Sequence, residues 1–109
     1  MNDQKTVKNA QVAGLSPEAR GLYAKLSKEW RIVDASGLLV LLTAMQALDR
    51  LRQAQALLAR DGIVMPDRFG QQKPHPASQI EREARGGLLQ ALRALNLDLE
   101  SLEGDGDAA

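Results

Sequence analysis

The chain has 109 residues with 14 basic and 14 acidic side chains, one histidine and no cysteine, so its formal net charge is zero. This length predicts a single domain and excludes a two-domain enzyme with a large cleft. The absence of cysteine excludes a disulfide scaffold, a thiol nucleophile and a thiolate metal site, and the single histidine excludes a His-rich metal site. We therefore expect neither a cofactor nor a metal.

The zero net charge is the sum of two unlike parts. Residues 1–95 carry a net charge of +5, and residues 96–109, which contain five acids and no basic residue, carry −5. This asymmetry indicates either a polyanionic partner or a partner that binds the acidic tail. The plainer alternative is a tail that only keeps the chain soluble.

The sequence gives no sign of export or of membrane insertion. Its N-terminal residues lack the apolar core of a secretory signal. The longest apolar run, residues 38–42, is five residues long, whereas a membrane span takes about 20. We expect no membrane partner.

The first predicted elements are an arm and a helix. Residues 1–14 are polar and lack a period, which predicts a disordered N-terminal arm. Ser16 is a suitable cap and Pro17 a suitable first residue for a helix that runs to about Arg31. One face of this helix is apolar and the opposite face is basic. The apolar stripe comprises Ala19, Leu22, Tyr23, Leu26 and Trp30.

A second, long helix follows the first. Asp34 is its predicted cap, and the helix continues to about Arg60 and stops at Gly62. An apolar seam with heptad-like spacing runs along it, which indicates a core stripe in a helical hairpin or an oligomer contact. We favour the oligomer contact because the short first helix cannot cover the whole seam. The predicted interface residues are Leu41, Leu48, Leu51 and Leu58.

The segment after Gly62 changes character before a third helix begins. The β-prone residues 63–65 and the turn formers after them predict a short β-hairpin or an ordered loop. A third helix is expected from about Ala77 to Leu95, with Gly86 and Gly87 marking a kink or a close backbone contact. Its apolar face comprises Ile80, Ala84, Leu88, Ala91 and Leu95.

The predicted fold class is mainly α, with three helices and the long central one in a helical hairpin. Residues 15–102 form the helical domain, in which residues 96–102 add one short helical turn. Residues 103–109 form a disordered acidic tail.

No catalytic constellation is visible in the sequence. Glu81 and Glu83 are two residues apart on a helix, so their carboxylates face different directions, whereas Glu81 and Arg85 form an ordinary i,i+4 pair. No glycine-rich phosphate loop is present. His75, held between two prolines, is expected to bond a backbone group, and direct contact with a ligand or phosphate is the alternative. These observations predict a protein that is not an enzyme and has no catalytic residues.

The basic residues are the strongest candidates for a binding function. Phosphates dominate the affinity of proteins for nucleic acids, and an oligomer multiplies a weak basic patch through avidity. A solvated charged face is the alternative for any single residue. We rank the arm and first helix ahead of the third helix with its preceding loop. The candidate DNA-binding residues are Lys5, Lys8, Arg20, Lys28, Arg31, Arg68, Lys73, Arg82, Arg85 and Arg93.

Three stretches of the chain resemble one known family. They read LSPEARGLYAKLSKEWRIVDASG, ALDRLRQAQALLARDGIV and DRFGQQKPHPASQIEREARGGLLQALRALNLD, and together they span about residues 15–98. In combination these motifs resemble the phage terminase small subunit of the P27 family.

The resemblance implies a function that composition alone does not show. Small terminase subunits form ring-shaped homo-oligomers in the host cytoplasm that recognise viral double-stranded DNA and initiate genome packaging. They recruit and regulate a large terminase subunit, which carries the ATPase and nuclease activities. Many also carry a helix-turn-helix domain ahead of the oligomerisation hairpin, for which this chain is too short. The alternative hypothesis is an oligomeric helical adaptor that binds proteins and not DNA.

Overall fold

A computed structural model of the protein describes residues 8–97 and shows a mainly helical fold. Lys5, the predicted turn beyond residue 97 and the acidic tail lie outside the described residues. The elements in chain order are α1 (Asn9–Ala13), α2 (Pro17–Glu29), α3 (Ala35–Asp61), β1 (Val64–Pro66), β2 (Gln72–Pro74) and α4 (Ala77–Ala94).

The short helix α1 corrects the prediction of a disordered arm throughout residues 1–14. Gln11 Oε1 accepts the backbone N–H of Lys8 at 3.0 Å, which fixes the start of the helix. Val12 packs against the hydrophobic core. A helix of five residues is too short to display a helical period, so the sequence pattern does not reveal it.

Helix α2 begins as predicted and ends two residues earlier than expected. Ser16 Oγ accepts the backbone N–H of Ala19 at 3.1 Å, and Pro17 is the first helical residue. At the other end Arg31 adopts a left-handed backbone with φ 52°. The N–H of Ile32 then donates to the carbonyl of Ser27 at 2.9 Å, which completes a Schellman motif and terminates the helix.

Both predicted boundaries of α3 are confirmed. Asp34 Oδ2 accepts the backbone N–H of Gly37 at 2.9 Å, and Gly62 ends the helix with φ 83°. Gly37 is required by close packing, since a Cβ there would lie 2.8 Å from Asp34 Oδ1 and 2.9 Å from a methyl carbon of Ile32.

Of the two alternatives for residues 62–76, the structure shows the β-hairpin. β1 and β2 pair antiparallel, with Val64 opposite Pro74 and Pro66 opposite Gln72. The carboxylate of Asp67 accepts backbone N–H groups within the turn, which fixes its shape.

Helix α4 makes the most extensive contact with α3. Its side chains at Ala77, Ala84 and Ala91, seven residues apart, are buried and allow the two helices to approach closely. Ile80, predicted on the same face, is exposed because it lies at the edge of that face. The helix continues through Gly86 and Gly87, where a Cβ would meet no described atom within 4 Å, so a close backbone contact does not explain them.

The leucine seam of α3 lies inside the chain and is not a surface. Leu41, Leu48 and Leu51 are 0–6% exposed and belong to one core cluster with residues of α2 and α4. Their assignment to an oligomer interface is therefore wrong. The reason is that α4, and not only the first predicted helix, covers the seam. Leu58 is half-buried and lies outside this cluster.

Within residues 8–97, no helix combines the length and the hydropathy that crossing a membrane requires.

Candidate nucleic-acid interface

Two acidic side chains of the described residues accept hydrogen bonds at the starts of helices. Asp34 caps α3 and also accepts the hydroxyl of Ser36 at 2.8 Å. The Ser36 hydroxyl, followed by the Gly37 N–H, holds the pKa of Asp34 below its ordinary value. Asp49 of α3 accepts both the backbone N–H and the hydroxyl of Ser16, which ties the start of α2 to α3.

Other acids form pairs with neighbouring side chains. Glu18 of α2 pairs with Arg52 of α3, with 3.0 Å between Oε2 and Nη2. Within α4, Glu81 pairs with Arg85 at 3.5 Å, which confirms the predicted i,i+4 pair. The Glu83 carboxylate accepts the side-chain amide of Gln79 at 2.9 Å. These carboxylates therefore bond other groups of the same chain, which partly offset their negative charge.

The basic side chains are used differently. Most of them are exposed and form no ion pair with any residue between 8 and 97. Among the predicted DNA-binding residues in this range, Arg85 alone pairs with an acid. Exposed cations without a local carboxylate are the groups that can neutralise phosphates. The unpaired cations are Lys8, Arg20, Lys25, Lys28, Arg31, Arg50, Arg68, Lys73, Arg82 and Arg93.

The predicted DNA-binding residues do not form one patch. Arg31 and Ala94 line the same surface pocket, so the ends of α2 and α4 are neighbours. Arg31 and Arg93 thus lie at one end of α3, whereas Arg68 and Lys73 lie on the β-hairpin at the other end. A helix of this length, 27 residues, spans about 40 Å. We call these two sets the junction group (Lys28, Arg31 and Arg93) and the hairpin group (Arg68 and Lys73).

Arg31 occupies a backbone conformation that disfavours its residue type. At φ 52° an L-residue other than glycine is strained by about 1–2 kcal/mol, and short Asn or Asp side chains tolerate the region best. Asn96 adopts the same conformation, φ 57°, at the end of α4. The long Arg31 side chain is exposed and gains no ion pair within residues 8–97 that would offset the strain.

His75 has a structural role that engages both ring nitrogens. Nδ1 accepts the backbone N–H of Ala77 at 2.9 Å, which confirms the predicted bond to a backbone group. Nε2 lies 2.9 Å from Asp61 Oδ2 and donates to it, because the accepting Nδ1 carries no proton in the neutral ring. Hydrogen bonds from Arg60 and then from His75 hold the pKa of Asp61 well below its usual range. With 8% of its surface exposed, His75 presents no free nitrogen to a substrate or phosphate.

No metal centre or catalytic cluster forms in the described part of the chain. No three potential ligands among histidine and acidic side chains come together there. Ser16, Ser27 and Ser36 form hydrogen bonds with acids or with a carbonyl. Within residues 8–97 the His75 ring bonds Asp61 and the backbone N–H of Ala77 and no serine hydroxyl, and Ser78 donates only its backbone N–H, to the His75 carbonyl.

Phe69 is a prominent surface residue that the sequence reasoning missed. It lies at the tip of the β-hairpin with 75% of its surface exposed. The Arg68 guanidinium carbon lies 5.0 Å from the centroid of its ring. The available signal was a lone aromatic residue beside an arginine in a segment of turn formers.

Comparisons of the chain with models of protein families, with curated proteins and with solved structures find no match. The resemblance to the small terminase subunit therefore rests on the sequence motifs of residues 15–98 alone.

Proposed function

We propose that the protein is a phage terminase small subunit of the P27 family. In this proposal it binds viral double-stranded DNA in the host cytoplasm as a homo-oligomeric ring. It initiates genome packaging by recruiting and regulating a large subunit that supplies the ATPase and nuclease chemistry, so the small subunit itself is not an enzyme.

The observation that carries the proposal is the unequal use of charge. Seven of the eight acids in residues 8–97 cap a helix, stabilise a turn or bond a neighbouring side chain, with Glu29 as the exception, whereas ten exposed cations have no acidic partner in that range. Binding to DNA releases counterions for each phosphate that a cation neutralises, so these cations favour a polyanionic partner.

The proposed scaffold for the ring is a helical hairpin of α3 and α4. Because the leucine seam of α3 is filled within one chain, the proposed contact between copies uses exposed surface and, of the predicted interface residues, only Leu58. The acidic tail beyond residue 97 is the proposed contact for the large subunit. An oligomer displays several copies of the junction group and the hairpin group, which raises the overall affinity for DNA through avidity.

The test is the salt dependence of binding to a fluorescent DNA duplex. We expect the logarithm of the affinity to fall steeply with the logarithm of the salt concentration, by about 0.9 per phosphate contacted. The double variant Lys28→Gln/Arg31→Gln is expected to lower this slope by about 2. Arg52→Gln is the matched control, because it removes a cation that already pairs with Glu18, and its slope is expected to match the wild type.

Two outcomes contradict the proposal. Failure of the wild-type protein to bind duplex DNA at low salt overturns the DNA-binding function. If native mass spectrometry at the same time shows an oligomer, the result favours the adaptor without DNA binding. A monomer at micromolar concentration overturns the ring.

A further inference from the structure

The tip of the β-hairpin combines an exposed aromatic ring with exposed positive charge. Phe69 is 75% exposed, and Ile63 and Val64 at the base of the hairpin are also exposed. Arg68 lies over the Phe69 ring, and Lys73 of β2 is exposed nearby. A cation and an aromatic ring displayed together are recurrent features of nucleic-acid-binding surfaces.

The hairpin is held rigidly at both ends. At the tip, the backbone N–H groups of Phe69 and Gln71 donate to Asp67 Oδ1 at 2.8 and 2.9 Å. At the base, the N–H of His75 donates to the carbonyl of Ile63 at 2.9 Å, and the His75 ring bonds Asp61. A rigid element loses little conformational entropy when it binds, so these bonds prepare the tip for a contact.

The charge of the hairpin favours a polyanion such as DNA as its partner. Asp67 is the only acid in residues 63–74, and its carboxylate is turned toward the N–H groups of the turn. Arg68 and Lys73 pair with no acid in the described part of the chain. These two cations fit closely spaced phosphates, whereas contact with the tip or the junction group of a second copy would place like charges together.

We infer that the β-hairpin is a DNA-contacting finger that enters the major groove of duplex DNA. The major groove is wide enough for a two-stranded β-ribbon. Arg68 and Lys73 bind phosphates on the groove walls, and Phe69 packs against base edges, of which the thymine methyl group is the most suitable apolar one. The inference rests on the proposed function and adds to it a second contact, about 40 Å from the junction group.

The two kinds of contact have different signatures in a salt titration of duplex binding. Phe69→Ala removes an uncharged contact, so we expect about a tenfold loss of affinity with an unchanged salt slope. Arg68→Gln and Lys73→Gln each remove a phosphate contact, so each is expected to lower the slope by about 0.9. The matched control is Ile80→Ala, which removes an exposed apolar side chain from α4 and is expected to leave both quantities unchanged.

A second experiment uses the absence of cysteine. A cysteine introduced at Gln71 carries the only thiol of the chain and accepts a tethered iron chelate that cleaves nearby DNA. We expect cleavage of the bound duplex at a defined position from Gln71→Cys, and much weaker cleavage from Thr43→Cys on the exposed face of α3.

Failure of the inference is distinguishable from failure of the proposed function. Wild-type protein that binds duplex DNA, with Phe69→Ala and Arg68→Gln binding equally well at the same slope, overturns the hairpin contact and leaves the function intact. A Phe69→Ala variant with wild-type DNA affinity and an altered oligomeric state also overturns it, because the tip is then a contact between copies. Loss of affinity for single-stranded but not duplex DNA overturns the major-groove geometry. Wild-type protein that binds no duplex overturns both proposals.

Discussion

Helices α2 and α4 both pack apolar side chains against α3, but the two contacts differ in extent and in the polar bonds that accompany them. The contact of α4 is long and apolar, with Ala84 and Ala91 in the core cluster. The contact of α2 is smaller, with Ala19 buried and Leu22, Tyr23 and Leu26 partly buried against the core. Polar bonds supplement it, from Ser16 to Asp49 and from Arg52 to Glu18.

The difference indicates that the fold opens in two steps. Glu18 and Arg52 are 45% and 52% exposed, and exposed pairs contribute about 0–1 kcal/mol. The apolar contact of α4 with α3 is more extensive than that of α2, so we expect α1 and α2 to detach at a lower free energy than the global unfolding of α3 and α4. The junction group takes two of its three cations from the end of α2, the more weakly held helix.

The largest predicted effect on stability comes from a substitution in the core that both helices share. Leu41 is fully buried, so Leu41→Ala is expected to lower the free energy of unfolding by about 2–5 kcal/mol. Leu39→Ala, two residues away and 40% exposed, is the control and is expected to cost less than about 1 kcal/mol. Urea unfolding followed by circular dichroism measures both. Equal effects of the two substitutions would contradict the placement of the core.

The second prediction separates the two contacts. Asp49→Ala leaves the backbone N–H and hydroxyl of Ser16 without their acceptor, and we expect a loss of about 1–3 kcal/mol. Hydrogen exchange is expected to accelerate at the amides of α1 and α2 and to change little in α4. Arg50→Ala, at the exposed neighbouring position, is the control. Uniform acceleration across all helices would show that the chain opens in one step.

Local signals in the sequence predicted most of the helix boundaries. The caps Ser16 and Asp34 and the stop at Gly62 depend on residues within one turn of the helix end, so the sequence displays them directly. The early end of α2 could not be predicted in this way, because Arg31 is not a residue that the left-handed conformation favours.

Long-range contacts account for what the sequence did not predict. The seam of Leu41, Leu48 and Leu51 has the spacing of an oligomer contact and of an internal stripe alike, and only the position of α4 distinguishes them. The pair of Asp49 with Ser16 joins residues 33 positions apart, which no local pattern indicates. For the candidate interface, the sequence predicted which cations could bind DNA. The structure showed which acids already bond other groups of the chain and therefore which cations have no acidic partner among the described residues.

The third prediction concerns the stability of the fold at low pH, which depends on Asp61 at the end of α3 beside the β-hairpin. The pKa of Asp61 is depressed, so its ionised form stabilises the fold above the ordinary pKa of aspartate, about 4, and this stabilisation is lost as the pH falls below that value. Asp61→Asn removes the titration while keeping an oxygen for His75. Between pH 6 and pH 3 we expect the urea midpoint to fall further for the wild type than for the variant. Parallel curves would contradict the role assigned to this carboxylate.

The smallest predicted effect compares the ends of α2 and α4, where Arg31 and Asn96 share one left-handed conformation. Arg31→Gly relieves the strain of the arginine but increases the freedom of the unfolded chain, so we expect a net stabilisation of no more than about 1 kcal/mol. Asn96→Gly, the control, is expected to change stability by less than that, because asparagine already tolerates this conformation. If Arg31 is kept for its charge, Arg31→Gly also lowers the salt slope of DNA binding by about 0.9 and Asn96→Gly does not. A more stable Arg31→Gly protein that binds DNA with the wild-type slope would leave the strain at Arg31 without a function in binding.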